Sequence, residues 1–238
     1  MRKQGPLIIG HRGAAGHAPE NTQASIRAAF DLNADWIEID LRMCKDALIV
    51  VHDDTLDRTT NGNGPAANLN YAEIWPLDAG QGESIPTLET VLGLLPESAG
   101  INIELKEPQT LAPLVECLTR RDECAKRSVL VSSFDWALLD NLRVRMPAID
   151  LAPLTKRRFT DAMTAANSLN AYAINASHKH LSRKHVTAAH AQQRRVFAYT
   201  ANTPKEIAQM LDIGVDGIIS DYPDRVRTTI NAHANRHR

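Results

Sequence analysis

Short apolar runs rich in β-forming residues alternate with segments of helical periodicity along nearly the whole chain. Segments such as residues 25–32 and 137–145 repeat their apolar positions at helical spacing and predict helices. Eight apolar runs predict strands, at residues 7–9, 36–41, 101–105, 129–131, 149–154, 171–175, 196–200 and 217–220. Strands that alternate with helices indicate parallel βαβ units, and eight units favour a closed barrel. The pattern therefore predicts an α/β fold, the TIM (β/α)8 barrel.

Helix-start signals support this pattern, and one region departs from it. Thr203 and Glu206 flank Pro204 in a capping-box arrangement, and Thr87 marks a similar start.

After a ninth apolar run at residues 48–52, the chain is rich in Asn, Gly, Thr and Pro and has little periodicity. We interpret residues 54–84 as a small insertion after strand two, near the barrel mouth. The prediction is one catalytic domain, residues 1–238, that carries this inserted subdomain.

The overall charge and the composition indicate no macromolecular or membrane partner. Lys and Arg number 27 against 28 Asp and Glu, so nothing favours nucleic acid or an anionic membrane surface. No apolar stretch approaches the roughly 18 residues of a membrane span, and the N-terminus lacks a signal-peptide core. The three cysteines, Cys44, Cys117 and Cys124, lack zinc-ligand spacing. We expect reduced thiols, a cytoplasmic location, no stable membrane insertion and a small-molecule substrate.

Strand two carries two acidic residues on one face. Alternation places Glu38 and Asp40 together and the apolar residues on the opposite face, which in a barrel packs against helices. Two inward carboxylates repel each other, and a hard cation with oxygen ligands relieves that repulsion. The alternative is a surface edge strand with two solvated acids.

Strand three repeats the arrangement. Asn102, Glu104 and Lys106 share a face, so Glu104 is a candidate third ligand and Lys106 a positive charge aimed at the same cavity. A structural Glu–Lys pair inside the barrel is the alternative. Active sites of such barrels lie at the carboxyl ends of the strands, where these side chains would meet.

Two histidines flank this acidic group in the predicted fold. His11 follows strand one and His52 ends the ninth run, and histidine titrates near neutral pH, which suits general acid/base catalysis. Arg12 either binds phosphate or braces its loop. Glu20 and Asn21 are interpreted first as part of a helix start, with a supporting role at the site as the alternative.

Taken together, these motifs resemble the glycerophosphodiester phosphodiesterase family. The matching pieces run in order along the chain and are individually weak but specific as a set. They are His11-Arg12-Gly13, Pro19-Glu20-Asn21-Thr22, Glu38-x-Asp40, Val51-His52-Asp53, Leu56-x-Arg58-Thr59-Thr60-Asn61-Gly62, Ile85-Pro86-Thr87-Leu88-Glu89, Glu104-x-Lys106, Ser133-Phe134, Thr200-x-Asn202 and the stretch from Gly214 to Pro223.

The resemblance implies hydrolysis of glycerophosphodiesters to glycerol 3-phosphate and an alcohol on a TIM barrel. It implies a divalent metal, Mg²⁺ or Ca²⁺, as the cofactor. Its metal ligands correspond to Glu38, Asp40 and Glu104, its acid/base pair to His11 and His52, and its phosphate contacts to Arg12 and Lys106. Tyr199 stands where relatives often carry Trp, on the wall of the alcohol pocket, and is counted among the substrate-binding candidates.

The expected mechanism has His11 as base and His52 as acid, although the two histidines can exchange roles. The attacking group is either water or the substrate's own glycerol 2-hydroxyl. A lysophospholipase D or phosphoinositide-type phospholipase on the same scaffold is the alternative enzyme. A non-catalytic phosphodiester-binding barrel is a further alternative, but it predicts loss of a key residue, and none is lost.

Overall fold

The structure is a computed structural model that describes residues 5–120 and 128–236. The strands are β1 (Leu7–His11), β2 (Trp36–Met43), β3 (Leu48–Val50), β4 (Gly100–Leu105), β5 (Val129–Ser133), β6 (Asp150–Thr155), β7 (Ala173–Ser177), β8 (Arg195–Tyr199) and β9 (Gly217–Ser220). The helices are α1 (Gln23–Asp31), α2 (Tyr71–Ile74), α3 (Leu88–Leu94), α4 (Leu111–Arg120), α5 (Trp136–Arg145), α6 (Phe159–Ser168), α7 (Arg183–Ala191), α8 (Pro204–Ile213) and α9 (Pro223–Arg236).

Eight parallel strands close into a barrel. Their order around it is β1, β2, β4, β5, β6, β7, β8 and β9, and β9 pairs with β1 to complete the ring. The short β3 pairs antiparallel with the end of β2 and stands outside the ring. The predicted TIM barrel is confirmed.

The strand predictions hold with one notable shift in position. The sixth predicted strand, at residues 171–175, is observed as β7 at Ala173–Ser177. The amide of Ala171 donates to the carbonyl of Ala166 at the end of α6, and Asn170 has a φ of 44°. Ala171 therefore belongs to the turn that follows the helix, although its apolar side chain resembles that of a strand residue.

The interior of the barrel is layered from apolar to polar. At its amino-terminal end the inward side chains form an apolar cluster that includes Ile9, Trp36 and Phe197. The rings of Trp36 and Phe197 make an edge contact with centroids 6.1 Å apart. Side-chain alternation along β2 then brings Glu38 and Asp40 inward above Trp36. The polar residues consequently collect at the carboxyl-terminal end.

The outer helices begin at the predicted caps. Thr203 and Glu206 form the capping box of α8, and Thr87 caps α3. Thr22, rather than Asn21, caps α1, with Ser25 completing the box. Among the helices that the structure describes, none combines the length and apolar character that crossing a bilayer requires.

Residues 54–84 fold over the end of β2 and β3. They contain a 3-10 turn at Ala66–Asn68 and the one-turn helix α2. Leu56 and Ile74 are fully buried against Ile49 and Cys44 in a small cluster separate from the main core. The segment therefore has its own apolar anchor despite its polar composition.

The cysteines described in the structure are buried. Cys44 lies in the cluster beneath the insertion, and Cys117 packs into the main core. Cys124 falls outside the described residues.

Candidate active site

Three carboxylates meet at the carboxyl-terminal end of the barrel. Glu38 and Asp40 come from β2 and Glu104 from β4, and strand register sets Asp40 beside Glu104. One oxygen from each lies within 4.8 Å of the other two. Glu38 is 3% exposed and Asp40 1%. The alternative of a solvated edge strand is therefore wrong.

The three carboxylates respond differently to this burial. Burial and repulsion from Asp40 raise the pKa of Glu38 to about 7. The same two causes raise the pKa of Glu104. Burial also opposes ionisation of Asp40, but Lys106 and Arg12 outweigh it and lower its pKa to about 2. A site whose donors are all carboxylate oxygens, and whose carboxylates repel one another, fits a hard divalent cation such as Mg²⁺ or Ca²⁺.

Two positive side chains lie against this cluster. Lys106 Nζ is 2.8 Å from Asp40 Oδ1 and 2.5 Å from Glu104 Oε1. Arg12 Nε is 3.1 Å from Asp40 Oδ2, and the guanidinium also binds Glu20 at 2.6 Å. The Glu104–Lys106 pair considered from the sequence does form, but it forms inside the acidic cluster.

His11 is held by a carboxylate that is distant in sequence. Its Nδ1 lies 2.6 Å from Asp221 Oδ1, and its Nε2 lies 3.9 Å from Glu38 Oε2. Burial lowers the pKa of His11, but the hydrogen bond to Asp221 and the charge of Glu38 outweigh it, and the net pKa is raised. Asn202 donates to Asp221 Oδ2 at 2.5 Å and accepts from the Asp221 amide at 2.9 Å. The ring orientation of His11 is thus set by Asp221 and Asn202.

His52 forms a second histidine–carboxylate pair. Its Nδ1 lies 2.5 Å from Asp53 Oδ1, and burial lowers its pKa despite the neighbouring carboxylates. Arg58, from the insertion, donates to Asp53 at 2.5 Å and to both Glu20 oxygens at 2.7 and 2.9 Å. Arg58 thereby links the support of His52 to the loop that carries Arg12.

The loop after β1 brings its backbone to the acids. Arg12 has a φ of 49° and Asn21 a φ of 59°, an uncommon region for residues with a side chain. These conformations let the Arg12 amide donate to Glu38 Oε2 at 3.0 Å and the Asn21 side chain donate to Asp40 Oδ2 at 2.9 Å. Asn21 therefore supports the site, as the alternative interpretation from the sequence proposed, while Thr22 serves as the cap.

A cavity of about 230 Å³ opens above the carboxylates. This volume is just below the roughly 300–1,000 Å³ of pockets for drug-sized ligands, so it suits a small molecule. Every site residue predicted from the sequence except Asp40 contributes to its lining, and Asp40 touches Lys106 and Arg12 of that lining. Tyr199 presents its ring, because its hydroxyl donates to the Thr155 carbonyl at 3.0 Å.

Sequence reasoning missed the carboxylates that hold the histidines. Asp53 adjoins His52, so its position carried a signal that could have been used. Asp221 and Asn202 lie far along the chain from His11 and only the closed barrel brings them near it. No residue of the fully described segment 54–84 lines the cavity; the segment reaches the site through Arg58.

Comparisons with known proteins agree with this geometry. The sequence model described as the Glycerophosphoryl diester phosphodiesterase family matches residues 11–225. YhdW of Bacillus subtilis is 37% identical over 232 residues, covering 91% of this chain and 95% of the relative. The glycerophosphodiester phosphodiesterase of Bacillus altitudinis is 36% identical over 234 residues, covering 92% and 95%.

Among solved structures, a phosphodiesterase from Oleispira antarctica in complex with the product sn-glycerol-3-phosphate superposes with a TM-score of 0.88. It is 30% identical, and the match covers 95% of this chain and 97% of that one. The shared barrel and the family match over nearly the full length lead to one conclusion: the chain belongs to the glycerophosphoryl diester phosphodiesterase family.

Proposed function

We propose that this chain hydrolyses glycerophosphodiesters to glycerol 3-phosphate and an alcohol. One observation carries the proposal: a cluster of three carboxylates, two buried and one partly buried, lies at a single small cavity with two histidines, each paired to its own carboxylate. Family membership supports the same reaction. Residues 1–238 would act as one catalytic domain with the insertion at 54–84, and the cytoplasmic location stays a prediction.

Glu38, Asp40 and Glu104 are the proposed ligands of the metal, Mg²⁺ or Ca²⁺. The fit rests on their oxygen-only donor set, their spacing within 4.8 Å, and the burial and repulsion from Asp40 that together raise the Glu38 pKa to about 7. When bound, such a cation would neutralise the charge of the diester and polarise its oxygens.

His11 and His52 are the proposed proton-transfer pair. With Nδ1 bound to Asp221, His11 turns Nε2 toward the cavity, where we propose that it takes the proton of the attacking oxygen. His52 is more exposed, 35% against 20% for its side chain, and would protonate the departing alkoxide. Each transfer is worth about 10²- to 10⁴-fold in rate. The alternative assignment exchanges the two roles, and the attacking group is water or the glycerol 2-hydroxyl of the substrate.

Arg12 and Lys106 are the proposed phosphate contacts. Both line the cavity, and each forms an ion pair with the carboxylate of Asp40. The Arg12 guanidinium and the Lys106 ammonium are therefore already fixed in place. Preorganised positive charge of this kind stabilises the charge that builds on phosphoryl oxygens. Tyr199 is proposed to contact the substrate with its ring rather than its hydroxyl.

The test is hydrolysis of a panel of glycerophosphodiesters and one lysophospholipid by the purified chain, with and without EDTA. We expect release of glycerol 3-phosphate that EDTA abolishes and Mg²⁺ or Ca²⁺ restores. Full activity in excess EDTA after dialysis would remove the metal from the proposal. Preference for the lysophospholipid would instead establish the alternative phospholipase activity.

A further inference from the structure

The cavity has a second wall that performs neither of the proposed chemical roles. Phe134, Leu154, Lys156, Asn175 and Tyr199 line it from β6, β7, β8 and the turn after β5. This wall lies across the barrel from β1, β2 and β4, which carry His11 and the acidic cluster. A phosphodiester held at the cluster by its phosphate has two ester arms, and this wall is available to them.

The wall changes character from its deep end to its mouth. Asn175 is fully buried, and among the described residues neither its side-chain oxygen nor its nitrogen has a hydrogen-bond partner. Asn102, on the neighbouring floor, is also buried with an unpartnered oxygen. Unpaired buried amides are costly, and a hydroxyl group can satisfy both a donor and an acceptor. The deep end therefore suits a small, hydroxyl-bearing arm such as glycerol.

The mouth carries an unusual positive charge. Lys156 follows β6 directly, is exposed, and has its Nζ 5.6 Å from the centroid of the Phe134 ring. Within residues 5–120 and 128–236, no carboxylate lies within ion-pair distance of Lys156, whereas Lys106 contacts two. In the described part of the chain, Lys156 is therefore a cation at the mouth whose charge is not balanced by a neighbouring acid.

The aromatic residues beside Lys156 would by themselves attract a cationic substrate group, and the Lys156 charge opposes this. Phe134 and Tyr199 stand edge to face with centroids 6.3 Å apart, and aromatic faces of this kind attract quaternary ammonium groups. Here the ammonium of Lys156 already faces the Phe134 ring. A cationic arm would meet a like charge there, while an anionic arm would meet its counter-ion.

We propose that the mouth of this wall is the headgroup subsite and that Lys156 selects substrates whose alcohol group carries an additional anion over those whose alcohol group carries a cation. The inference rests on the proposed function and deepens it by naming a substrate class. The smaller glycerol arm occupies the deep end near Asn175, because the cavity holds only about 230 Å³. The larger headgroup extends to the mouth, past Lys156.

The experiment compares two substrates that differ by one phosphate, glycerophosphoinositol and glycerophosphoinositol 4-phosphate, with glycerophosphocholine as the cationic arm. For the wild type we expect kcat/KM to be about 3- to 10-fold higher for the phosphorylated member, a modest factor because the site is exposed and screened. Lys156→Met should bring this ratio near one, and Lys156→Glu should invert it and improve relative use of glycerophosphocholine. Lys205→Met, at an exposed lysine of α8 outside the cavity lining, is the matched control and should keep the wild-type ratio.

The ratio is the appropriate measurement because loss of Lys156 also weakens attraction for the phosphate common to all these diesters. In 0.5 M salt the wild-type ratio should shrink toward one. A ratio that is unchanged in Lys156→Met would overturn the proposal. If no diester is hydrolysed, the proposed function fails instead, and calorimetric binding of the same two compounds to wild type and Lys156→Met still decides the subsite. Equal affinities in both proteins would then refute it.

Discussion

The acidic cluster should destabilise the metal-free fold as pH rises. Glu38→Gln tests this, because the variant removes the carboxyl group whose ionisation causes the loss of stability. The pKa of Glu38 is raised from 4.5 to about 7, so the folded chain holds this proton more tightly than the unfolded chain does. Its contribution to stability is complete below pH 4.5 and is lost as pH rises through about 7. At about 1.36 kcal/mol per pKa unit, the loss is about 3 kcal/mol. Gln is neutral throughout and can still accept from the Arg12 amide.

The assay is urea unfolding of wild type and Glu38→Gln at pH 5 and pH 8 in EDTA. Because pH 5 already lies above the pKa of 4.5, the wild type should lose about 2 to 3 kcal/mol more stability than the variant between these pH values, or roughly 4–12 °C in melting temperature. Saturating Mg²⁺ or Ca²⁺ at pH 8 should restore the wild type, since a ligand at 100 times its Kd adds about 2.7 kcal/mol. The variant should recover less. Identical pH dependence of the two proteins in EDTA would refute the electrostatic reasoning.

Three further predictions concern the histidines and their supports. His11→Ala and His52→Ala should each lower kcat at least about 10²-fold, and a nitrophenyl ester should rescue only His52→Ala, because nitrophenolate leaves without a proton; rescue of His11→Ala alone would reverse the assignment. Asp221→Asn should lower kcat about 10²- to 10⁴-fold with metal affinity unchanged, because a neutral amide replaces the carboxylate that orients His11 through Nδ1. A kcat near that of the wild type would exclude a positioning role for Asp221. Arg58→Met should lower kcat about 10-fold at a stability cost below about 1 kcal/mol. The control Arg120→Met, which breaks an exposed ion pair within α4, should leave kcat unchanged. Equal kcat values in the two variants would make the Arg58 contacts merely structural.

Much of this fold could be predicted because the signals are local. Eight apolar runs and the Thr caps of α3 and α8 depend on neighbours a few positions away, and the structure confirms them. The prediction was least accurate where a local preference competed with a neighbouring element. Ala171 has the apolar side chain of a strand residue, but its amide closes the end of α6.

The inward orientation of Glu38 and Asp40 could also be predicted, because alternation along a strand assigns every side chain to a face. Their combination with Glu104 followed from the common active-site end of parallel strands. His178, His180 and His185, which follow β7, show no such pattern. The role proposed for Lys156 could not be predicted from the sequence either. A lysine after a strand is ordinarily solvated, and its position over Phe134 requires the packed barrel.

The sequence by itself thus determined the barrel, the acidic row on β2 and β4 and the placement of His11 and His52 at strand ends, because strand periodicity and the ends of strands are properties of short stretches of chain. Tertiary structure alone decided which carboxylate orients each histidine, and above all that Asp221 of the last strand end meets His11 of the first at 2.6 Å. It also decided that Arg58 joins the insertion to Glu20, and that Lys156 faces the cavity. These contacts arise only when β9 pairs with β1 and closes the ring, an event that no local pattern encodes.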